Sequence, residues 1–545
     1  MSRQSTVILE PEHGERVEFH AESGTRMLSE VLAAHGFPLN TRCGQRGLCR
    51  GCEVQLREGA LVLEGEKVSA PSTVRACRAR LVGPVTLGLP ARSRIEHKPQ
   101  VGETFEIAVP CGHDPLFPAE GVRDTAFAVD IGTTTVVVLL VDMITGEVLS
   151  RAGGFNEQIR FGDNVLTRID AARTPEAIAA MQSAIVAETL VPLLRDACKR
   201  ADRGPERIVG GSIAGNTTML HLLVAEDPTS LGIAPFTAHF LEGRQISAGE
   251  IGLTIDALDS TIPIQLLPSI GAYIGADITA GIYATGMVFD TAPSLLVDIG
   301  TNGEIVLQCN GVLTACATAA GPAFEGCGLR SGTRAREGAV SDLRLALNPF
   351  VVEVQTIGNI PLGRASGMCG SAYIDFLATS RACGLLGITG RFDAAAWAGV
   401  PEHHRCTADG ERALLLAGTR LPGEPCISEV DVAVLLQAKA AIGAGIETLL
   451  EVAGISASEI ANVYLAGGFG MHLNVPNAIA IGLLPEFHPD QVRVVGNTSL
   501  AGALLALIDR TTLDEMEAIR GRTDVIELNL APGFEDRYVE HLMLP

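Results

Sequence analysis

Four cysteines, Cys43, Cys49, Cys52 and Cys77, are the residues whose type and spacing point most directly to chemistry. The first three fall within ten residues, in the run CGQRGLCRGC. Four thiolates are what a [2Fe–2S] cluster needs. Gly44, Gly47 and Gly51 let the backbone wrap closely, with amides free to point at cluster sulfurs. A zinc ribbon would want two Cys-x-x-Cys pairs. Here the fourth cysteine stands alone among Arg75, Arg78 and Arg80, which favours iron–sulfur over zinc. A chance cluster of buried thiols is the bland alternative.

A second chemistry is written twice. Residues 127–141 read FAVDIGTTTVVVLLV, and residues 295–307 read LLVDIGTNGEIVL, with the two copies 168 residues apart. Each is a strand, an Asp-Ile-Gly-Thr turn and a second strand. Such a repeat predicts two lobes built on one duplicated unit. Gly132, Gly300 and Gly303 allow backbone amides to converge into a nest for phosphate oxygens. Thr133, Thr134, Thr301 and Asn302 add donors. Asp130 and Asp298 are suited to holding Mg2+ through water and orienting it. Glu304 is a candidate for positioning an attacking water; a carboxylate at a strand end is the alternative. A third element, NVYLAGGFG at 462–470, runs from a buried strand into Gly467, Gly468, Phe469 and Gly470, where a flat adenosine could lie against backbone. An ordinary strand–turn–helix corner reads the same way. No GxxxxGK[ST] is present.

The elements that must carry these groups follow from hydrophobic period. Val7–Leu9 and Val17–Phe19 alternate as strands, Met27–Ala34 has helical spacing, and Cys52–Arg57 and Val82–Leu89 read as further strands. Residues 1–90 are therefore expected as one domain, 91–124 as a Pro-rich extended linker, and 125–545 as the duplicated unit, with lobes at roughly 125–290 and 291–545. A chain of 545 residues exceeds one core. The formal charge of −22, with only four lysines, argues against nucleic acid. No apolar leader and no uninterrupted run of eighteen apolar residues occur, so neither secretion nor a membrane span is expected. Thirteen cysteines then suggest reduced thiols in the cytoplasm. Cys111 is read as incidental rather than redox-active, and Cys309, Cys316, Cys327, Cys369 and Cys383 as buried small side chains. His403, His404 and Cys406 are read as an exposed loop before a metal site. Arg330, Arg334 and Arg336 could face phosphate, a partner or solvent.

The order of elements around the cysteines resembles a β-grasp ferredoxin, an α+β fold; its five-residue first gap is similar to the adrenodoxin type. The two DIGT turns and AGGFG resemble the phosphate-1, phosphate-2 and adenosine elements of the actin, heat-shock chaperone and sugar kinase superfamily. That implies an α/β, two-lobed domain of duplicated mixed sheets binding ATP and Mg2+. The fusion resembles the reductive activators of corrinoid proteins over nearly the whole chain. AGNTTMLHLL (214–223), LGIAPF (231–236), PSIGAYIGAD (268–277), AGPAFEG (320–326) and ASGMCGSA (365–372) fit that family without residue roles assigned. The extra middle domain of longer members looks absent between Leu89 and Asp130. No cysteine follows Cys426, so a terminal [4Fe–4S] pair is not expected.

This resemblance implies an ATP-hydrolysing iron–sulfur activase. It would reduce inactive Co(II) to Co(I) on the corrinoid protein of a methyltransferase system, taking electrons from an external low-potential donor. Dimers are common in the family. A ferredoxin near about −400 mV donates to Co(I) uphill, at roughly 2.3 kcal/mol per 100 mV. Coupling to ATP then requires two conformations with different affinities: closure grips the corrinoid protein, the ferredoxin swings in on its tether, and hydrolysis releases the partner. Three rivals remain: a redox-linked metabolite kinase, an electron carrier whose ATP only gates binding, and an activator of another low-potential enzyme.

Overall fold

The structure is a computed structural model describing residues 4–11, 15–24, 26–39, 45, 52–90, 93, 105–109, 113–421, 423–468 and 473–545. The N-terminal unit is one sheet closed by a short helix. Its strands are β1 (Gln4–Pro11), β2 (Val17–Glu22), β3 (Glu53–Leu63), β4 (Glu66–Ser69), β5 (Ser72–Arg75) and β6 (Ala79–Leu89). They run in the order β2-β1-β6-β3-β4, with β5 on β3 and β1 parallel to β6. Alternating Val7 and Leu9, with Val54, Leu56, Leu61, Leu81, Val85 and Leu87, fill the core beneath helix Leu28–Ala34. The period-2 pattern thus puts one face of each strand inside.

The first lobe is built on β7 (Thr125–Ile131), β8 (Thr135–Asp142), β9 (Val148–Phe155), β10 (Ile208–Gly215), β11 (Arg244–Ser247) and β12 (Pro263–Leu266). The second begins with β13 (Ser294–Ile299), β14 (Gly303–Cys309) and β15 (Val312–Thr318). Two small sheets follow: β16 (Ala339–Leu347), β17 (Phe350–Thr356) and β18 (Gly367–Met368), then β19 (Arg405–Ala408), β20 (Glu411–Leu415) and β21 (Cys426–Ser428). The main sheet is completed by β22 (Asn462–Ala466), β23 (Val492–Gly496) and β24 (Thr523–Val525).

The duplication is visible in strand order. β9-β8-β7-β10-β12 in the first sheet matches β15-β14-β13-β22-β23 in the second. In each, the first three strands are antiparallel neighbours and the last two join in parallel. Both glycine turns therefore sit between equivalent strands, β7–β8 and β13–β14.

Helices Ala276–Ala284 and Thr498–Ile508 cross between the sheets. The second follows β23 in sequence yet packs on β7 and β10 of the first lobe, with Ser212 Oγ donating to the Ala503 carbonyl at 2.5 Å. Long buried helix Glu429–Ala453 lies on β14 and β15. It and the continuous helical stretch Pro175–Ala201 are long and apolar enough to cross a membrane, but 78% and 50% of their apolar windows are buried inside the protein.

The expected linker is partly docked. Glu106 N–H donates to the Val495 carbonyl at 3.1 Å and Ala108 N–H to Ala284 at 3.1 Å; Asp114 and Leu116 donate to Ile508 and Leu507 at 2.9 and 2.8 Å. The chain here stays extended, as its prolines suggest, but its donors satisfy carbonyls at the ends of the two crossing helices. The expected swing on the whole Pro90–Asp124 segment is corrected accordingly. Ser93 hydroxyl is bonded to the Glu53 carbonyl on the ferredoxin side, so only residues 94–104 lie between the two sets of contacts.

At the helix crossing a Cβ on Gly502 would meet Ala280 Cβ at 2.4 Å and its Cα at 2.7 Å. Gly502→Ala is expected to destabilise the nucleotide-binding unit by about 1–3 kcal/mol. Gly521→Ala, with nothing within 4 Å in helix Thr511–Arg522, should be neutral or stabilising by up to about 1 kcal/mol. Urea unfolding of the two variants reads both, and equal midpoints would mean the crossing is looser than described.

Candidate functional site

Strand pairing brings two cysteines together in the N-terminal unit. Cys52 precedes β3 and Cys77 follows β5, and these strands pair at Glu53–Arg75. Ala76 N–H donates to the Cys52 carbonyl at 3.0 Å, and Ser29 N–H to the Ala76 carbonyl at 3.1 Å, which fixes both ends. Both cysteines are buried. Ser29 Oγ also donates to Gln45 Oε1 at 3.3 Å. Cys43, Cys49 and Cys111 lie outside the described residues. The two thiols described, brought near each other by the β3–β5 pairing, fit a thiolate-held cluster.

Between the lobes is a cavity of about 510 Å³. Into it project Asp130, Gly132, Thr133, Thr134, Asp298, Gly300, Thr301, Asn302, Glu304, Gly467 and Gly468. Gly303 sits behind this wall, where a Cβ would meet Thr318 Oγ1 at 2.5 Å. Phe469 and Gly470 lie outside the described residues. The fold thus gathers residues from three separate stretches on one cleft.

Each turn is held from behind. Gly132 N–H donates to the Thr135 carbonyl at 2.9 Å, so close that a Cβ on Gly132 would lie 2.7 Å from that oxygen. Buried Asn156 donates to the Gly132 carbonyl at 3.0 Å, and fully buried Arg168 donates to the Thr133 carbonyl. Burial pulls the Arg168 guanidinium down to about 9, which still leaves it charged at neutral pH. Asn216 Nδ2 donates to Thr133 Oγ1 at 2.9 Å. In the second turn Gly300 N–H donates to the Asn302 carbonyl at 3.0 Å. Gly467 takes φ +92°, and a Cβ there would meet Asp298 Oδ1 and the Ile299 carbonyl, both at 2.7 Å. Only glycine allows the third element to approach the second turn this closely.

Six carboxylates line the cleft, and four of them, Asp130, Asp277, Asp298 and Glu304, act on one another. Asp298 and Glu304 are cross-strand partners on β13 and β14. Burial, reinforced by Asp130, pushes Asp298 up to about 7; burial, reinforced by Asp298 and Asp130, pushes Asp277 up to about 8. Glu304 is raised well above the usual range, by burial and then by Asp277 and Asp298. Asp130 is also raised by burial, but Ser499 Oγ at 2.7 Å and Asn497 Nδ2 at 2.8 Å donate to it and oppose the rise. Among the described residues no lysine or arginine figures in the charges acting on these four. Among the described residues no three of them converge as a ready-made metal cage; one or two carboxylates beside phosphate oxygens suit Mg2+, which keeps several of its waters.

Two family models divide the larger unit between them. The model for the RACo middle region matches residues 125–290, and that for the C-terminal domain of RACo, the ASKHA domain, matches 292–545. Between them the two models cover residues 125–545 except 291. A model of the 2Fe-2S iron-sulfur cluster binding domain matches residues 11–82. The RACo middle region here is the first lobe itself. The chain is 29% identical to the corrinoid activation enzyme RamQ of Eubacterium limosum over 98% of each protein. It is 28% identical to a [Co(II) methylated amine-specific corrinoid protein] reductase of Methanosarcina barkeri over 74% of each. A solved structure titled reductive activator for corrinoid, iron-sulfur protein superposes with a TM-score of 0.72 at 28% identity, covering 99% of this chain and 98% of that one. The chain therefore joins a [2Fe–2S] ferredoxin domain to an ATP-binding ASKHA unit.

Several cleft residues were not singled out by sequence. Ala214 pairs with Asp130 as Ala466 pairs with Asp298, so Ile-Ala-Gly-Asn at 213–216 and Leu-Ala-Gly-Gly at 465–468 are counterparts that the repeat could have revealed, with Asn216 in the place of Gly468. Asp277 and Glu325 lay within quoted stretches but without a role. Of the three arginines, Arg334 enters the cleft, Arg330 pairs with Asp409 at 3.3 Å, and Arg336 donates to the Ser366 carbonyl at 2.8 Å. His404 Nδ1 is bonded to the Leu415 carbonyl at 2.7 Å, and no group of three or more metal-ligating side chains occurs among the described residues.

The raised carboxyls give a pH signature. Their folded values exceed the unfolded 3.8, so the folded form holds these protons more tightly. That stability is fully present below the unfolded value and is lost as pH rises through the folded one. With divalent cations chelated, the melting temperature should fall by several degrees between about pH 4 and about pH 8, and Asp277→Asn should flatten the fall. A melting temperature that climbs over this range in the wild type, or an unchanged slope in the variant, would contradict the described cluster.

Proposed function

We infer that this protein is an ATP-dependent reductive activator of a corrinoid protein, returning inactive Co(II) to Co(I) by one-electron reduction in support of methyl transfer. The observation that carries the reading is the union, in one chain, of a cysteine-bearing ferredoxin sheet and a cleft built from two equivalent glycine turns. Cys43, Cys49, Cys52 and Cys77 would hold the [2Fe–2S] cluster, whose chemistry when bound is to accept and pass on single electrons. A cluster that gives up an electron must be reloaded, so an external low-potential donor is part of the proposal.

In the cleft, Thr133, Thr134, Thr301 and Asn302 bind ATP phosphates by donating hydrogen bonds, from turns that the Gly132 and Gly300 amides close on the Thr135 and Asn302 carbonyls. Asp130 and Asp298 would hold Mg2+, which supplies charge neutralisation at the phosphates. Glu304 orients water for attack. Gly467, Gly468, Phe469 and Gly470 provide the backbone surface for adenosine. Asn497 and Ser499 keep Asp130 aimed into the cleft. Because the turns belong to opposite lobes, a nucleotide held by both favours their closed arrangement. A partner that binds the closed form more tightly thereby draws on ATP.

The test uses anaerobically purified protein with its cluster reduced, mixed with a Co(II) corrinoid protein. The expected result is Co(I) absorbance only with ATP, and its loss in Asp298→Ala while the cluster spectrum is unchanged. Co(I) formation independent of ATP would reduce the nucleotide unit to a regulator. ATP-dependent reduction surviving Asp298→Ala would remove the assigned role of that carboxylate.

A further inference from the structure

One cleft residue has hydrogen bonds that the proposed chemistry does not use. Glu325 ends the single turn Pro322–Glu325 and reaches between the two glycine turns. Its Oε1 accepts from Thr301 Oγ1 at 2.7 Å and its Oε2 from Thr134 Oγ1 at 3.0 Å. The two hydroxyls are themselves 3.2 Å apart and come from opposite lobes. A carboxylate and a phosphate present the same pattern, two anionic oxygens a little over 2 Å apart taking separate donors. Glu325 thus makes the contacts that a nucleotide phosphate would make.

Its surroundings suit an exchange. Arg334 lies 3.9 Å from the Glu325 carboxylate, Nη2 is 3.5 Å from Thr134 Oγ1, and its guanidinium stands over the Phe155 ring at 4.9 Å. Arg334 Nε is buried without a hydrogen-bond partner, so the cation retains capacity for a second anion. Phe324, next in chain, is 1% exposed, and a Cβ on Gly326 would lie 2.4 Å from the Thr333 carbonyl. The turn is therefore pinned, and only the Glu325 side chain can swing away. When it does, Thr134 and Thr301 keep only their mutual contact at 3.2 Å across the lobes unless another anion takes its place.

We propose that Glu325 is the resident occupant of the phosphate seat and the clasp between the lobes, and that ATP binds by displacing it. The proposal rests on the nucleotide reading of this cleft given above. Glu325 then raises the threshold for nucleotide entry and makes lobe closure available without ATP, so that ATP substitutes for the clasp instead of creating it.

The test is calorimetric titration of the full-length, cluster-loaded protein with MgATP and with adenosine, alongside small-angle scattering without nucleotide. Glu325→Ala should bind MgATP about tenfold tighter, the scale expected for releasing a charge-assisted hydrogen bond. Glu325→Gln, which keeps the shape and drops the charge, should tighten it less. Adenosine affinity should not change. Scattering should show a larger radius of gyration for Glu325→Ala without nucleotide and the wild-type value with it. Unchanged or weaker MgATP binding in both variants overturns the proposal, as does unaltered affinity with slowed hydrolysis, which would make Glu325 catalytic. Failure of the wild type to bind MgATP at all, with Thr301→Val equally silent, would overturn the cleft reading and this proposal with it.

Discussion

The mutual repulsion of buried carboxylates sets the terms for the rest of this molecule. Asp130, Asp277, Asp298 and Glu304 come from two sheets and a crossing helix, and each raises the cost of charging another. Left to themselves, such groups would part or draw in water. They are held by closely packed backbone: two main-sheet strands paired through Asp298 and Glu304, a helix whose N-cap Gly275 lies against Asn216, and a glycine at 467 that admits a third strand. The lobes are rigid where the charges are. What that frame maintains is a cluster of carboxyl groups that hold their protons unusually tightly, with hydroxyl donors along one side, and that a divalent cation would draw into the charged form.

The same reasoning explains the polar groups behind the first turn. A fully buried arginine is expensive unless its protons are all used, and Arg168 directs them to the carbonyls of Gly162 and Thr133 and to Gln158. Asn156 and Asn216 complete the frame. The second turn lacks an equivalent arginine among its described hydrogen bonds and is fixed by Thr318 Oγ1 on the Gly303 carbonyl at 3.0 Å. The two turns are thus alike in strand context and unlike in support.

Much of this was legible in the sequence because a repeated tetrad fixes strand, turn and strand at once. Asp130 and Asp298 needed only the DIGT pattern, and the cysteine spacing named its domain without help. Asp277 was not legible: it reaches the cleft from the first turn of a helix, and nothing local in SIGAYIGAD distinguishes a lining carboxylate from a helix-starting one. Asn497 and Ser499 were hidden for a related reason, since their partner Asp130 is more than three hundred residues away. Extended conformation in the linker followed from its prolines; its docking did not, because the carbonyls it satisfies belong to distant helix ends.

Those helix ends connect two places in the molecule. Helix Ala276–Ala284 carries Asp277 at its start and offers the Ala284 carbonyl to Ala108 at its finish. Helix Thr498–Ile508 begins beside Asn497 and Ser499 and ends where Asp114 and Leu116 attach. Each is a rod of about 15 Å, with one end in the acidic cleft and the other under the strap leading to the ferredoxin unit. A helix shifts as a body, so an axial or tilting movement at the cleft end is delivered to the strap. The strap held by these helix ends would then be a mooring whose position reports the occupancy of the cleft.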